Sequence, residues 1–339
     1  MRNYSLDFFR GLAASLVCIG HLYFWNNNTD SISIAFILAV DFFLVLSGFV
    51  IAQSIFNKMN FSIPIFIANR WIRLFPVFII CFLLIGIPKI IFIEYYILPN
   101  FSDLTKYFII GHMLPINLDT QFKDPLSIAY TISAEFWVGI ILFPCIYFLS
   151  NSKRVLFLLA IFIFSYLNII LYSPNFLDIH YQFFNKYLYF GIIRCLADYS
   201  LGIITYLLYT KFKNHDININ IISTLQTLII VLLIVIYSNI NYNRNFDYLA
   251  PFLFSLFIIS ISFNKGFINK ITNNKYGEFS GKISYPIYLI HPLYVGIFSL
   301  LKFPINFFNV CIYLLLCIIT SWVIHTLIEK PMMKLMIKN

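Results

Sequence analysis

The stretch LDFFRGLAASLVCIGH, residues 6–21, decides the fold class. It is nearly long and apolar enough to cross a membrane as a helix, which takes about 20 residues. It nevertheless contains Asp7 and Arg10 near one end and His21 at the other. Ionisable side chains inside a membrane span are rare, cost about 2.5–3.5 kcal/mol each on insertion scales, and mark functional positions. The stretch therefore predicts both a membrane protein and a site within it.

The rest of the chain has the same character. Of its 339 residues, 60% are hydrophobic and 11% are charged, whereas soluble domains contain about 25% charged residues. Apolar runs of about 20 residues favour helices over the roughly 10-residue alternating strands of a membrane barrel. We predict an all-α polytopic membrane protein with a single domain over 1–339 and no appended soluble domain. Ten spans are predicted, at 7–25, 34–56, 74–97, 126–149, 154–172, 187–210, 217–238, 247–263, 281–301 and 306–328.

Composition also excludes several classes of protein. The formal net charge is +9, but the basic residues form short clusters between apolar runs, so no nucleic-acid partner is expected. The six cysteines are scattered through apolar runs without metal-ligand spacing, so neither disulfides nor a metal site is predicted. Arg10 would interrupt the apolar region of a signal peptide, so the first helix is expected to be retained.

The loop charges support ten spans with both termini in the cytoplasm. Alternate loops contain only Lys106, Lys123, Lys186, Arg244 and Lys302. The other set of loops contains Arg2; Lys58, Arg70 and Arg73; Lys153 and Arg154; Lys211 and Lys213; Lys265, Lys270, Lys275 and Lys282; and Lys330, Lys334 and Lys338. This strict alternation is what the positive-inside rule requires.

Arg10 and His21 share one face of the first span. Eleven residues bring the helix to about 20° past three full turns, and about 16 Å separate the two positions along its axis. Asp7 can pair with Arg10 because it lies three residues before it. The alternative is that Arg10 extends its side chain to the membrane surface and that His21 makes only structural hydrogen bonds. The first span alone leaves both interpretations open.

Two carboxylates are predicted at the depth of His21. The alternating topology places Asp41, in AVDFFLVLSGFV, and Glu135, in YTISAEFW, in the outer half of the membrane. A carboxylate beside a histidine orients the ring and favours its protonated form, as a general base requires. We therefore predict His21, Asp41 and Glu135 as the catalytic group. A structural hydrogen-bond network between helices is the alternative for both acids.

The segment NRWIRLFP places Arg70 and Arg73 on neighbouring helix positions at the cytoplasmic end of the third span. Such a pair suits phosphate binding, although flanking charge that only sets topology would look the same. Near the C-terminus, SYPIYLIHP places His291 on roughly the same face as Tyr285 and Tyr288. We interpret His291 as structural or pore-lining rather than as the base.

These stretches, together with EKP near the C-terminus, resemble in order acyltransferase family 3, the integral-membrane acyltransferases that modify bacterial surface sugars. LDFFRGLAASLVCIGH is similar to the first-helix motif of the family, an arginine and a histidine separated by ten residues. VDFFLVLSGFVIA is similar to its second helix, RWIR to its Arg-x-x-Arg motif, TISAEFW to its Ser/Thr-Leu-x-x-Glu-x-x-Phe/Tyr stretch, and SYPIYLIHP and EKP to its closing helices. The chain departs from the family at Ile132, where leucine is common, and at Val138 and Gly139, where tyrosine often follows.

The resemblance implies an acyl donor, an acyl acceptor and a cellular location. The donor would be cytoplasmic acyl-CoA, usually acetyl-CoA, and the acceptor a hydroxyl of a lipid-linked or cell-surface glycan, at the bacterial cytoplasmic membrane. Arg10, Arg70 and Arg73 would then bind the donor, and His21 would be the base or a transient acyl carrier. We also predict a continuous polar tunnel, lined by the first four spans, from these arginines to His21.

Two other classes of protein would share these features. A transporter or flippase for a lipid-linked glycan also has intramembrane arginines, histidines and carboxylates, along its substrate path. The sequence contains no inverted repeat, which counts against that class. A small-ligand sensor without catalytic activity is the third possibility.

Overall fold

The computed structural model is almost entirely helical and describes residues 3–26, 36–57, 60–92, 101–114, 126–239 and 244–336. The α-helices are α1 Tyr4–Trp25, α2 Ala39–Phe56, α3 Ile63–Phe92, α4 Phe101–Phe108, α5 Tyr130–Tyr147, α6 Asn151–Tyr172, α7 Phe190–Phe212, α8 Ile219–Asn239, α9 Ala250–Ser262, α10 Phe267–Thr272, α11 Lys275–Leu300, α12 Phe307–Ile324 and α13 Lys330–Met333. Short 3-10 turns precede three of them, at Phe36–Leu38, Ser127–Ala129 and Arg244–Leu249, and a π-helical turn, His325–Glu329, joins α12 to α13. Strands β1 Phe183–Asn185 and β2 Leu188–Tyr189 form an antiparallel hairpin before α7.

The described part of the chain has ten helices that are long and apolar enough to span a membrane, which confirms the predicted number. The largest difference is in the third span, which begins at Ile63 rather than near residue 74. Arg70 and Arg73 made this region look like a loop, but both lie inside the helix. The predicted loop over 98–125 contains the short helix α4, and residues 115–125 lie outside the described part.

Helices α2 and α7 form the centre of the bundle. In their apolar stretches, 67% of the α2 residues and 72% of the α7 residues are buried, against 28% for α6 and 22% each for α8 and α12. The exposed residues of α6, α8 and α12 are mainly leucine, isoleucine, valine and phenylalanine. Such surfaces are suited to contact with lipid.

Helix α1 packs closely against α11, and the two run parallel. Arg10, near the start of α1, contacts Ser284 near the start of α11, whereas His21, near the end of α1, contacts His291 further along α11. Small residues allow this approach, since a Cβ atom at Gly277 would lie 2.6 Å from the carbonyl oxygen of Tyr4. Gly277 and Gly281 form the small-xxx-small spacing that brings helix backbones together in membranes.

Helices α2 and α7 also run parallel and pack through small residues. A Cβ atom at Gly48 of α2 would lie 2.6 Å from the carbonyl oxygen of Tyr199 of α7. In a chain whose spans alternate in direction, the first and ninth spans run the same way, and so do the second and sixth. The directions of α1 and α11, and of α2 and α7, agree with the predicted order of spans.

Candidate active site

His21 forms a hydrogen-bonded pair with His291. Nδ1 of His21 lies 2.9 Å from Nε2 of His291, and the rings stack with centroids 4.9 Å apart. The indole of Trp25 stacks on His21 at 4.7 Å between centroids. His291 is fully buried and His21 is half-buried. The first and ninth spans thus bring two imidazoles together at the same depth in the bundle.

The hydrogen bonds determine which nitrogen of each neutral ring carries the proton. Nδ1 of His291 lies 3.3 Å from the carbonyl oxygen of Ile287, and a carbonyl can only accept, so this nitrogen carries a proton. In a neutral ring, Nε2 of His291 then accepts a hydrogen bond from Nδ1–H of His21. Nε2 of His21 keeps its lone pair. This atom is therefore the nucleophilic or basic atom of the pair.

Asp41 does not contact His21, so the expectation that it orients the histidine is wrong. Its carboxylate accepts two hydrogen bonds from Arg194 of α7, from Nε at 2.7 Å and from Nη2 at 2.8 Å. The two side chains are 0% and 2% exposed. A charge this deeply buried needs a paired opposite charge, and the parallel packing of α2 and α7 supplies one.

Glu135 also has a partner other than His21. Its Oε1 atom lies 3.1 Å from Nη2 of Arg70 and accepts a hydrogen bond from the Ser47 hydroxyl at 3.0 Å. The hydroxyl of Tyr199 lies 3.4 Å from the same Arg70 nitrogen. The predicted meeting of Glu135 with His21 is therefore wrong as well, because the carboxylate neutralises a buried guanidinium instead. Arg70, predicted to bind the donor, forms an ion pair inside the bundle.

A cavity of about 470 Å³ opens at the end of the bundle where α1 and α11 begin. We call it the inner cavity, since the loop charges predict that this end faces the cytoplasm. Its basic lining residues are Arg10, Arg73, Lys282 and Lys330, and its acidic ones are Asp7 and Glu329. Four cations outnumber two carboxylates, so the cavity is suited to an anion.

Arg10 is fixed in the wall of the inner cavity. Its Nε atom donates to the hydroxyl of Ser284 at 2.8 Å, and its Nη2 atom donates to the carbonyl of Gly281. The same Nη2 atom lies 3.6 Å from Oδ1 of Asp7. The predicted Asp7–Arg10 pair is confirmed. Arg73 lines the inner cavity beside Arg10, whereas Arg70 lines a separate, smaller cavity with Arg73.

A second cavity, of about 240 Å³, lies at the opposite end of α1. We call it the outer cavity. His21 lines it together with Trp25, Tyr130, Tyr181, Tyr288, Asp178 and His180, among others. Aromatic faces and a few polar groups are a typical lining for a small-molecule site. The inner and outer cavities are therefore at opposite ends of the helix that carries both Arg10 and His21.

The predicted continuous tunnel is not found as a single space, because in the described part of the chain the inner and outer cavities share no lining residue. On α2, Val40 lines the outer cavity, Leu46 lines the inner one, and Phe43 lies between them in the helix. The ring of Phe43 packs against that of Tyr288 with centroids 6.1 Å apart. Phe43 thus lies between the two cavities on α2.

No three His, Cys, Asp or Glu side chains of the described residues are grouped so as to hold a metal ion.

Comparison with known proteins identifies the family. The profile of the acyltransferase 3 family, described as an acyltransferase domain, matches residues 3–326, nearly the whole chain. The chain belongs to the acyltransferase 3 family. No curated protein and no solved structure matched. Members of this family transfer acyl groups other than aminoacyl groups, so the protein is a multi-pass membrane acyltransferase and the sequence resemblance is confirmed.

Proposed function

We propose that the protein is an O-acyltransferase of the bacterial cytoplasmic membrane. It moves an acyl group, most often acetyl, from cytoplasmic acyl-CoA to a hydroxyl of a lipid-linked or cell-surface saccharide. The observation that carries this proposal is the arrangement of α1, which has a cationic cavity at one end and, at the other, an imidazole whose Nε2 atom keeps its lone pair.

The charges of the inner cavity support a CoA donor. The nucleotide of acyl-CoA carries several phosphate charges, and arginine and lysine are the side chains that bind phosphate. Arg10 and Arg73, predicted for this role, both line the inner cavity, and Lys282 and Lys330 extend the same surface. Arg70 would act at a distance, by holding Glu135 and the start of α3 in place.

The separation of the cavities supports a donor whose reactive end is thin. About 16 Å lie between Arg10 and His21 along α1, which the pantetheine arm of CoA can bridge while the nucleotide stays in the inner cavity. Because Phe43 lies between the two cavities on α2, we expect its ring to move aside when the arm passes. The saccharide need not cross the membrane, whereas a flippase moves its whole substrate across.

His21 supplies the chemistry at the outer end. The lone pair on Nε2 can take the proton of an acceptor hydroxyl, or it can attack the thioester carbonyl and hold the acyl group briefly. His291 holds the ring in the tautomer that either role requires. Both roles predict that activity depends on His21.

Replacement of His21 tests the proposal. Purified protein in lipid nanodiscs is incubated with acetyl-CoA, and the release of free CoA thiol is followed. We expect the wild type to release CoA, and His21→Ala to reduce the rate by about 10²–10⁴-fold, the usual contribution of an acid–base group. His215→Ala is the matched control, because His215 is exposed in the loop after α7.

The outcomes separate catalysis from folding. Both variants should elute from size-exclusion chromatography as the wild type does. Wild-type CoA release by a folded His21→Ala variant would contradict the catalytic role of His21. Absence of CoA release from the wild-type protein with acetyl-CoA, propionyl-CoA and longer donors would contradict the acyl-CoA donor.

A further inference from the structure

A second histidine, His180, lies at the outer cavity. It belongs to the segment between α6 and α7, and its ring stacks on that of Tyr130 with centroids 4.7 Å apart. Nδ1 of His180 lies 3.9 Å from Oδ1 of Asp178, and both side chains line the outer cavity together with His21. The cavity therefore contains two imidazoles with different partners, one with a histidine and one with a carboxylate.

The carboxylate of Asp178 is held in position by a chain of polar contacts. Its Oδ2 atom accepts a hydrogen bond from the amide of Asn175 at 2.9 Å. The amide oxygen of Asn175 accepts from Arg244 at 3.1 Å, and Arg244 donates to Asp247 at 3.0 Å. This chain ties the segment to the 3-10 turn before α9. A carboxylate supported in this way can hold a partner ring in one orientation.

The backbone of His180 is also fixed. Its N–H donates to the side-chain oxygen of Gln182 at 2.7 Å, and its carbonyl accepts from the N–H of Gly191 at 3.2 Å, at the start of α7. The β1–β2 hairpin lies between these two contacts. His180 is thus attached to a structured segment at the cavity rim, and its side chain is 37% exposed.

The partners suit the two histidines to different steps. A general base becomes a cation when it takes a proton, and a neighbouring carboxylate stabilises that cation. His180 has such a carboxylate, whereas the hydrogen-bond partner of His21 is a neutral ring. Burial, with the nearby charge of Arg194, lowers the pKa of His180, against the opposing effect of Asp178. His180 is therefore in its basic form at neutral pH.

We propose that His180, supported by Asp178, is the base that takes the proton of the acceptor hydroxyl, and that His21 carries the acyl group on Nε2. This inference rests on the proposed acyl-CoA donor. It assigns to two side chains the two roles that the sequence left open for one. His180 lies outside the motifs that identify the family, in the part of the chain that forms the acceptor end of the site.

The acylation and deacylation steps together conserve atoms, electron pairs and protons. Nε2 of His21 attacks the thioester carbonyl, the N–C bond forms, and the C–S bond breaks with its electron pair on sulfur. The thiolate takes a proton from water on the donor side. The acceptor oxygen then attacks the same carbon while its proton moves to His180, the O–C bond forms, and the C–N bond breaks with its electron pair returning to His21. His180 releases its proton to water at the outer surface, so that one thioester and one alcohol give one ester and one thiol.

The test separates the two steps. Protein in nanodiscs is mixed with acetyl-CoA labelled in the acetyl group, without saccharide, and CoA release and protein-bound label are measured after rapid quenching. Water serves as the hydroxyl acceptor for the second step. We expect His180→Ala to acquire label at the wild-type rate and to lose it at least about 10²-fold more slowly. His21→Ala should acquire none, and His215→Ala should behave as the wild type.

Rescue distinguishes a base from a structural residue. Free imidazole in the buffer should restore a large part of the label loss in His180→Ala, because the outer cavity is open to small molecules and His180 is partly exposed. Asp178→Asn should slow label loss less than His180→Ala and should not respond to imidazole. Absence of rescue, with slow loss, would show that His180 only maintains the structure.

The pH dependence gives an independent readout. Label loss from the wild type should fall as pH drops through the pKa of His180, below which its ring is protonated. The groups that face this ring are Asp178 and Tyr181 on its own segment, Tyr130 of α5, Arg194 of α7 and His21 of α1. His180→Ala with saturating imidazole should instead follow the pKa of free imidazole.

Failure of the inference and failure of the proposed function give different results. A wild type that forms labelled protein, with His180→Ala losing label at the same rate, would overturn the role of His180 and leave the acyltransferase proposal in place. Label that persists in His21→Ala would overturn the carrier role. A wild type that releases no CoA at all would overturn the proposed donor itself.

Discussion

At the scale of single residues, the tautomer of His21 is determined by a backbone atom of α11. The carbonyl oxygen of Ile287 requires a proton on Nδ1 of His291, and this requirement passes through the hydrogen bond to His21. Without His291, the imidazole of His21 could place its proton on either nitrogen. His291 is therefore a positioning residue, in the way that a buried acid fixes the tautomer of a histidine in other enzymes.

Replacement of His291 tests this positioning. We expect His291→Phe to lower kcat by roughly 10- to 10³-fold, because the nitrogen that accepts from His21 is lost. KM for acetyl-CoA should not change, since the inner cavity is about 16 Å away along α1. His291→Asn, whose amide oxygen can accept a hydrogen bond, should retain more activity than His291→Phe. Equal rates for His291→Phe and the wild type would contradict the role.

The residues of the site could be predicted from the sequence only in part. Arg10 and His21 were found because both interrupt one apolar helix, and their spacing fixes a shared face. The interpretation of His291 as structural rather than as the base did not include its contact with His21, although its depth in the ninth span matched that of His21 and could have indicated the contact. His180 could not be found, because a loop has no periodicity that fixes where its side chains lie.

At the scale of elements, the ion pair of Asp41 with Arg194 joins the two central helices. Both charges are buried, so neither helix is well accommodated in the membrane interior without the other. The sequence contained the signal for this pair, since Arg194 and Asp198 are charged residues inside the sixth span and Asp41 is one inside the second. A pair between Asp41 of the second span and Arg194 of the sixth explains why each span contains a charge.

Removal of one partner should be costly. We expect Asp41→Asn to destabilise the protein by about 3–5 kcal/mol, because the buried Arg194 guanidinium loses the carboxylate that accepts two of its hydrogen bonds. Thermal unfolding in detergent, followed by tryptophan fluorescence, measures this as a lower Tm. The double variant Asp41→Asn/Arg194→Gln should recover part of the loss.

The control for this prediction is an exposed ion pair. Asp216 lies 2.7 Å from Lys265 and is 98% exposed, so Asp216→Asn should leave Tm unchanged, as expected for surface pairs. A similar fall in Tm for Asp41→Asn and Asp216→Asn would indicate that the buried ion pair stabilises the protein no more than the exposed one.

At the scale of the whole molecule, the fold places two separate cavities at the two ends of a bundle of ten candidate spans. Hydropathy could predict the number of spans and their order, because each span is an apolar run bounded by polar residues. It could not predict which residues line each cavity, since this depends on how the helices pack and which way side chains such as Phe43 turn. The loop charges provide the assignment of the inner end to the cytoplasm.

Cysteine labelling tests this sidedness. In a variant without the exposed Cys145 and Cys311, we expect a membrane-impermeant maleimide to label Tyr187→Cys in intact cells, because Tyr187 is 63% exposed in the turn of the β1–β2 hairpin. Lys213→Cys, in the loop after α7, should be labelled only after the membrane is opened. The reverse pattern would invert the orientation and place the cationic cavity outside.

The contact of His21 with His291 has a consequence for how the protein is made. The two residues are 270 positions apart, and at roughly 5–20 residues per second the ribosome needs about 14–54 s to synthesise the chain between them. During this time α1 is in the membrane without the helix that completes its reactive face, and Asp7 provides the counter-charge of Arg10. If the proposed roles of His21 and His291 hold, we expect a nascent chain to gain acyltransferase activity only after the ninth span inserts, and translation that stops early to yield an inactive membrane-inserted fragment.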